Sequence, residues 1–168
     1  MKAIRALTKK DLPRLIQFWN QHWGGDEMIV HGEFFRPEQL NGFITEDWLG
    51  VITYYIKNNS CEIISLNSLK ENQGVGTALI NEVANEARKQ NCQRLFLVTT
   101  NDNLHALGFY QRYGFELVCI RRGAVDEARK NKPGIPLIGM NKIHLRDEIE
   151  LEMSLTPVPS PNGRGVKG

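Results

Sequence analysis

The sequence predicts an α/β fold of the α+β type, with a mixed, mostly antiparallel sheet flanked by helices. Residues 41–47 and 49–56 have the composition of a strand hairpin, and Asn58-Asn59-Ser60 turns the chain into a third antiparallel strand over residues 61–68. Helix-like patterns and further strands then alternate to residue 120. Because strands joined through a helix can pair in parallel, this order predicts one sheet containing both kinds of strand pair.

The N-terminal region begins with a short strand and a helix. Residues 3–7 are strand-like, and Thr8 with Asp11 forms a capping-box-like helix start. The helix has apolar residues at helical spacing, namely Leu12, Leu15, Ile16, Phe18 and Trp19. Residues 28–35 match neither a helix nor a strand pattern clearly, so their structure stays open at this point.

The middle of the chain supplies two helices around a strand. The apolar residues of segment 74–90 recur every three to four positions, which predicts a helix with one face on a sheet. Residues 92–100 form a β-branched and aromatic run without alternation, which predicts a strand buried on both faces. Asn101 or Asp102 can cap the next helix, and Gly114 can end it.

Two strands, over residues 115–120 and 148–153, complete the predicted domain. The intervening lysine- and proline-bearing segment has no motif that names a substrate. Asp147-Glu148-Ile149-Glu150 alternates as a strand does, so its acidic side chains face either a substrate cleft or water, and we favour water. Residues 156–168 are rich in proline and glycine. The sequence therefore predicts one domain over residues 1–155 and a disordered tail over residues 156–168.

Length and composition are typical of one soluble globular domain. The 168 residues, with 41% hydrophobic and 24% charged content, suffice for one sizeable core. A net charge of +2, without a basic run interleaved with aromatic residues, argues against a nucleic-acid partner. No segment resembles a signal peptide or a membrane span. Cys61, Cys92 and Cys119 lack CxxC spacing, which predicts buried reduced thiols in a cytoplasmic protein and no metal site.

A Gly-x-Gly turn joins a strand to an amphipathic helix at residues 69–80. Gly74 and Gly76 lack a Cβ where backbone must approach a ligand closely. The first N–H groups of the helix, from about Val75, point outward with the positive end of the helix dipole. This arrangement predicts a phosphate or pyrophosphate site, although an ordinary strand-to-helix turn also uses glycine.

The flanking residues argue against two kinds of phosphate binder. A P-loop needs a lysine followed by serine or threonine after its second glycine, whereas Thr77 and Ala78 follow here. A dinucleotide-binding turn needs a third small residue where Leu79 stands, and an acidic residue about 20 positions further on, where this chain is apolar. An acyl-CoA pyrophosphate loop remains.

The spacing of this turn resembles motif A of the GNAT superfamily of N-acetyltransferases, (Gln/Arg)-x-x-Gly-x-(Gly/Ala), laid on residues 71–76. Glu71 departs from it, since the family usually has glutamine or arginine there. Residues 103–115 resemble the family's motif B, Asn-x-x-Ala-x-x-x-Tyr-x-x-x-Gly-Phe, with every named position filled. Asn103 and Tyr110 lie two helical turns apart and can contact one ligand. The alternative for Tyr110 is a core aromatic.

The resemblance implies a GNAT-like fold whose sheet splays between the strands of residues 61–68 and 92–100 to admit the pantetheine arm of acetyl-CoA. Tyr110 stands where the family has its general acid, and a phenol with a reference pKa of about 10 can donate to a departing thiolate. Leu66 and Ser68 are alternatives for the principal pantetheine contact. The predicted cofactor-binding residues are Leu66, Ser68, Gln73, Gly74, Val75, Gly76, Thr77, Ala78, Asn103 and Tyr110.

Glu62 is the predicted general base, because some family members have a catalytic glutamate on this strand. Glu33, His31 and a water chain are the alternatives. Two functions stay open. One is an acetyl-CoA-dependent N-acetyltransferase whose acceptor is a primary amine of a small molecule, peptide or protein. The other is a non-catalytic acyl-CoA-binding sensor or interaction module. A homodimer is compatible with either.

Overall fold

The computed structural model describes residues 3–156 of the chain. Apart from Thr156, the predicted disordered tail lies outside these residues. In chain order the strands and α-helices are β1 (Ile4–Ala6), α1 (Leu12–Trp23), β2 (Met28–Val30), β3 (Glu33–Phe35), β4 (Asn41–Thr45), β5 (Gly50–Lys57), β6 (Ser60–Ser68), α2 (Val75–Lys89), β7 (Arg94–Thr100), α3 (Leu104–Tyr113), β8 (Glu116–Arg121), α4 (Ala124–Asn131) and β9 (Glu148–Ser154).

Seven strands form one sheet in the order β1-β4-β5-β6-β7-β9-β8. Every neighbouring pair is antiparallel except β6 and β7, which run parallel because α2 carries the chain back between them. The predicted mixed, mostly antiparallel sheet flanked by helices is therefore confirmed.

The sheet is covered on both faces. One core lies between the sheet and helices α2 and α3, where Leu79, Ile80 and Val83 of α2 are fully buried. The second core lies on the other face, where α1 and the β2–β3 hairpin cover the first half of the sheet. Trp19 of α1 is fully buried there against Ile44 and Val51. Burying such apolar side chains contributes about 1.5–3 kcal/mol each, and this burial fixes both layers on the sheet.

Strands β6 and β7 separate halfway along their length. Their parallel pairing runs from Ser60↔Arg94 to Ile63↔Leu97 and ends there. The next residue of β6, Ile64, is the extra residue of a β-bulge, because Thr53 pairs with Ser65 whereas Tyr54 pairs with Ile63. A bulge bends its strand. The second half of β6 therefore stays on β5 while β7 continues along β9, and the two ends leave a gap between them.

The open segment at residues 28–35 folds as the two short strands β2 and β3, paired from Met28↔Phe35 to Val30↔Glu33. His31 and Gly32 form its turn, both at positive φ. The two positive φ angles, 43° at His31 and 81° at Gly32, are set by the turn geometry and have no periodic signature in the sequence.

Three expectations about burial are wrong. Asp147, Glu148 and Glu150 were expected to face water, yet all three are buried because α4 and the β2–β3 hairpin cover this end of the sheet. Strand β7 alternates between buried and half-buried residues, so only one of its faces lies in the apolar core. Cys119 is exposed, because β8 lies at the edge of the sheet.

Within residues 3–156, no helix has both the length and the apolar character needed to cross a bilayer.

Candidate active site

A cleft of about 530 Å³ lies at the open end of β6, where the splayed strand meets the N-termini of α2 and α3. We call it the β6–α3 cleft. Eight of the ten predicted cofactor-binding residues line it, and Gln73 and Ala78 do not. The full lining consists of Leu66, Asn67, Ser68, Lys70, Glu71, Asn72, Gly74, Val75, Gly76, Thr77, Asn103, His105, Ala106, Phe109, Tyr110 and Arg112.

The N-terminus of α2 presents backbone donors to this cleft. Gly74 precedes the helix in the left-handed conformation, with φ of 72°, which glycine adopts without the steric cost that a Cβ adds. The N–H of Ala78 donates to the Gly74 carbonyl at 3.0 Å, so that amide is already used within the helix. The N–H groups of Val75, Gly76 and Thr77 precede the first N–H that bonds within the helix, so they have no intrahelical acceptor. All three residues line the cleft.

Gly76 leaves room that a side chain would fill. A Cβ placed on it would lie 3.1 Å from the Phe109 ring and 3.9 Å from Leu66. The Phe109 ring and the Leu66 side chain therefore leave little space for a Cβ at this position, and glycine fits there without displacing them. The missing Cβ keeps the floor of the cleft open beside the free amides.

Basic side chains surround the anion-binding end. Lys70, His105 and Arg112 line the cleft, whereas Glu71 contributes the opposite charge. Together with the helix dipole, the cations of Lys70 and Arg112 favour a ligand that carries phosphate groups. None of the three was predicted from the sequence, although each lies within or beside one of the two motifs.

Tyr110 belongs to the apolar core and also lines the cleft. The ring makes edge contacts with Phe109 and Phe115 at centroid distances of 5.2 and 5.5 Å. Burial raises the pKa of the Tyr110 phenol well above its ordinary value. The hydroxyl is therefore protonated at neutral pH, and no residue between 3 and 156 bonds to it. A free O–H donor facing a cleft can serve a developing anion.

Asn103 caps α3, a role that the sequence assigned to Asn101 or Asp102. Its side-chain oxygen accepts a hydrogen bond from the Ala106 N–H at 3.1 Å, which leaves its NH₂ group for the cleft. Asp102 is instead buried beneath the loop that follows α4, where it accepts hydrogen bonds from Thr100 Oγ1 at 2.5 Å and from the Met140 N–H at 2.7 Å.

The splayed half of β6 forms the other wall. Leu66 and Ser68 both line the cleft, so each stays a candidate for the principal pantetheine contact. Ser68 Oγ donates to the Lys70 carbonyl at 3.0 Å and is thereby held within its own turn. Asn67 accepts a hydrogen bond from Trp23 Nε1 at 2.8 Å, which ties the end of α1 to this strand.

Glu62 lies before the bulge, on the face of β6 that the β2–β3 hairpin covers. Its carboxylate contacts His31 Nε2 at 2.8 and 3.0 Å. The hydrogen bond with Glu62 raises the pKa of His31, and burial opposes the rise. The backbone N–H of His31 donates to Glu148 of β9 at 3.1 Å. One turn residue therefore joins two buried carboxylates on strands that lie on either side of β7.

The sequence profile of the acetyltransferase (GNAT) family matches residues 4–115. The chain is also 44% identical over 139 residues to the uncharacterised protein YdhI of Bacillus subtilis, which covers 80% of this chain and 87% of that protein. This chain therefore belongs to the GNAT acetyltransferase family.

Solved structures share the fold. A Bacillus subtilis acetyltransferase in complex with CoA superposes with a TM-score of 0.66 at 18% identity, covering 93% of this chain and 100% of that one. A GNAT family acetyltransferase from Elizabethkingia anophelis with acetyl-CoA bound has a TM-score of 0.64 at 22% identity, covering 90% of this chain and 97% of that one. At these identities the likeness establishes the GNAT-like fold.

Proposed function

We propose that this protein transfers an acetyl group from acetyl-CoA to a primary amine by direct attack of the amine on the thioester. The observation that carries the proposal is the convergence of three features on the β6–α3 cleft. These are the splayed end of β6, the free N–H groups of α2 and the unpartnered hydroxyl of Tyr110.

The cleft fits acetyl-CoA by its chemistry. The N–H groups of Val75, Gly76 and Thr77 would hold the pyrophosphate, with Lys70 and Arg112 as counter-charges. The backbone groups of β6 that β7 no longer pairs with, around Leu66 and Ser68, would hold the pantetheine arm, which has amide groups of its own. The two structural neighbours described above hold CoA and acetyl-CoA, which supports the same ligand here.

Acetyl transfer requires three events, and the chain has a group for each. The amine nitrogen forms a bond to the thioester carbon, and donors on β6 stabilise the charge that develops on the carbonyl oxygen. The carbon–sulfur bond then breaks, and the departing thiolate takes its proton from Tyr110. The attacking amine loses one proton, which we assign through solvent to the His31–Glu62 pair, and one proton returns through solvent from that pair to Tyr110. The sum is an amide and free CoA thiol.

A thiol-release assay with acetyl-CoA and a panel of amines tests this proposal. Glu62→Gln should lower kcat by about 10²-fold, the usual contribution of a positioned base, while acetyl-CoA affinity stays within error. Glu38→Gln, an exposed acid remote from both sites, is the control. Tight acetyl-CoA binding without thiol release for any amine would instead favour a non-catalytic acyl-CoA-binding module. Glu71, which departs from the family motif and lines the cleft, is compatible with that second function.

We also propose a cytoplasmic homodimer. The buried free thiols of Cys61 and Cys92 fit a reducing compartment. The edge strand β8 exposes Leu117, Val118 and Ile120, an apolar row at an open sheet edge that a second copy would cover. Sedimentation analysis of the protein and of Val118→Lys tests the dimer.

A further inference from the structure

A second cavity, also of about 530 Å³, adjoins the turn between β7 and α3. We call it the α4 cavity, because Val125 and Ala128 of that helix form one wall. Thr100 lines the α4 cavity, and Asn103, three residues later, lines the β6–α3 cleft. The two cavities therefore border the same short turn, at a level where β6 and β7 have already separated.

The walls of the α4 cavity are mostly apolar. Ile29 of β2 contributes from one side, and the loop after α4 contributes Ile135, Pro136, Ile138 and Met140 from the other. Two charged residues belong to the lining, Asp102 and Glu148, and the lining has no lysine, arginine or histidine. Both carboxylate oxygens of Asp102 already accept hydrogen bonds, Oδ1 from Thr100 and Oδ2 from the Met140 N–H. Glu148 is thus the one charged group that the cavity offers to a ligand.

Glu148 is 4% exposed, the His31 N–H donates to both of its oxygens, at 3.2 and 3.1 Å, and Arg121 of the paired strand β8 interacts with it electrostatically. A carboxylate has about four acceptor positions, so most of its capacity stays open toward the cavity. Burying such a charge is costly unless a cation or several donors pair with it. An ammonium group supplies both the charge and the donors.

Resting on the proposed function, we propose that the α4 cavity binds the acetyl acceptor, and that this acceptor is a small apolar primary amine without a carboxylate of its own. Its ammonium group pairs with Glu148 on binding and passes one proton to that carboxylate, which frees the nitrogen lone pair for attack, and its carbon skeleton packs on the walls from α4 and the following loop. The volume is in the range of small-molecule sites.

Two other classes of amine fit less well. An amino acid would bring a carboxylate into a cavity whose lining has no cation and whose only open charge is another carboxylate. A peptide would bring backbone amide groups that need partners, and the apolar walls provide few. Specificity for an amine with a neutral skeleton therefore follows both from Glu148 and from the absence of a cation and of polar partners in the lining.

The first experiment compares acceptors that differ by one group. Phenethylamine and phenylalanine share a ring and an amine, and only the second has a carboxylate. We expect kcat/KM for phenethylamine to exceed that for phenylalanine by at least about tenfold, because a carboxylate without a partner against mostly apolar walls is disfavoured. Equal values, or a preference for phenylalanine, polyamines or peptide N-termini, would overturn the inference and leave acetyl transfer itself intact.

The second experiment changes the cavity. Glu148→Gln keeps an oxygen for the His31 N–H but removes the charge, and should raise KM for phenethylamine by about tenfold or more with unchanged acetyl-CoA affinity. Ile138→Lys places a cation at the cavity wall on a residue that is 55% exposed, so folding is spared, and should raise the same KM. Leu137→Lys is the matched control, because Leu137 is 58% exposed and does not line the cavity.

Calorimetric titration of phenethylamine into the protein saturated with CoA gives a readout that needs no turnover. Binding that is weakened by Glu148→Gln and by Ile138→Lys, but not by Leu137→Lys, supports the inference. Phenethylamine affinity that is unchanged in Glu148→Gln overturns the inference. If acetyl-CoA binds but no amine of any class is acetylated, the proposed function fails, whereas acetylation restricted to polar amines contradicts the cavity assignment alone.

Discussion

The imidazole of His31 and the carboxylate of Glu62 are in direct contact, with 2.8 Å between Nε2 and Oε1, although 31 positions separate them in the chain. The contact exists because the β2–β3 turn folds over the face of the sheet on which Glu62 lies. It connects the residue that the sequence singled out as base to one of the alternatives for that role. The two therefore act as a single hydrogen-bonded pair.

Stability should depend on pH through this pair. Its hydrogen bond raises the pKa of His31, with Glu33 adding to the rise and burial and Arg121 opposing it. A raised folded-state pKa stabilises the fold fully below the unfolded value of about 6.5, and this contribution disappears as pH rises through the folded pKa.

The drop in Tm caused by Glu62→Gln should therefore be larger at pH 5.5 than at pH 8.5. Thermal denaturation followed by circular dichroism measures both, with Glu38→Gln as the exposed control. An equal drop at the two pH values would mean that the pair carries no pH-dependent stability.

Tyr110→Phe should distinguish between two roles of Tyr110, a catalytic general acid and a core aromatic residue. The substitution keeps the packing on Phe109 and Phe115 and removes only a hydroxyl that no residue between 3 and 156 bonds. We expect kcat to fall by about 10²-fold or more, with Tm and acetyl-CoA affinity almost unchanged.

Tyr113→Phe is the matched control on the same helix. Tyr113 donates a hydrogen bond to Asn81 and does not line the cleft. Its loss should lower stability by about 1 kcal/mol and leave kcat unchanged. A normal kcat in Tyr110→Phe would contradict the role of general acid.

Gly76→Val should abolish CoA binding. A Cβ at this position lies 3.1 Å from the Phe109 ring, and the extra methyl groups would occupy the space beside the free amides. Because the ring must also move, the variant is best made in a Phe109→Leu background, which restores room in the core. Calorimetry should then give a folded protein without measurable CoA affinity.

Gly134→Val in the same Phe109→Leu background serves as its control, because nothing lies within 4 Å of a Cβ there and Gly134 does not line the cleft. CoA affinity that survives in folded Gly76→Val/Phe109→Leu would place the pyrophosphate elsewhere.

Glu71→Gln should tighten CoA binding. Glu71 lines the cleft beside Lys70 and brings negative charge toward a ligand that is itself anionic. The residue is exposed, so salt screens the repulsion and the gain should be largest at low ionic strength. Titration of CoA at two salt concentrations measures it. Weaker binding in Glu71→Gln would show that the carboxylate helps the site, for example by orienting Lys70.

Local patterns in the sequence determined the elements that carry the cofactor site. The predicted helix over residues 74–90 matches α2, and the predicted hairpin matches β4 and β5, within two residues at each end. Gly74, Gly76, Asn103 and Tyr110 could be singled out because glycine geometry and helix periodicity act over a few residues.

The tertiary structure alone decided which distant residues meet. The β2–β3 hairpin has two strands of three residues each, too short for a periodic signal, and only its docking brings His31 to Glu62 and Glu148. The sheet order places β9 between β7 and β8, which turned Glu148 from an expected surface acid into a buried one. Burial and pairing between strands depend on the whole chain, so no segment of sequence encodes them by itself.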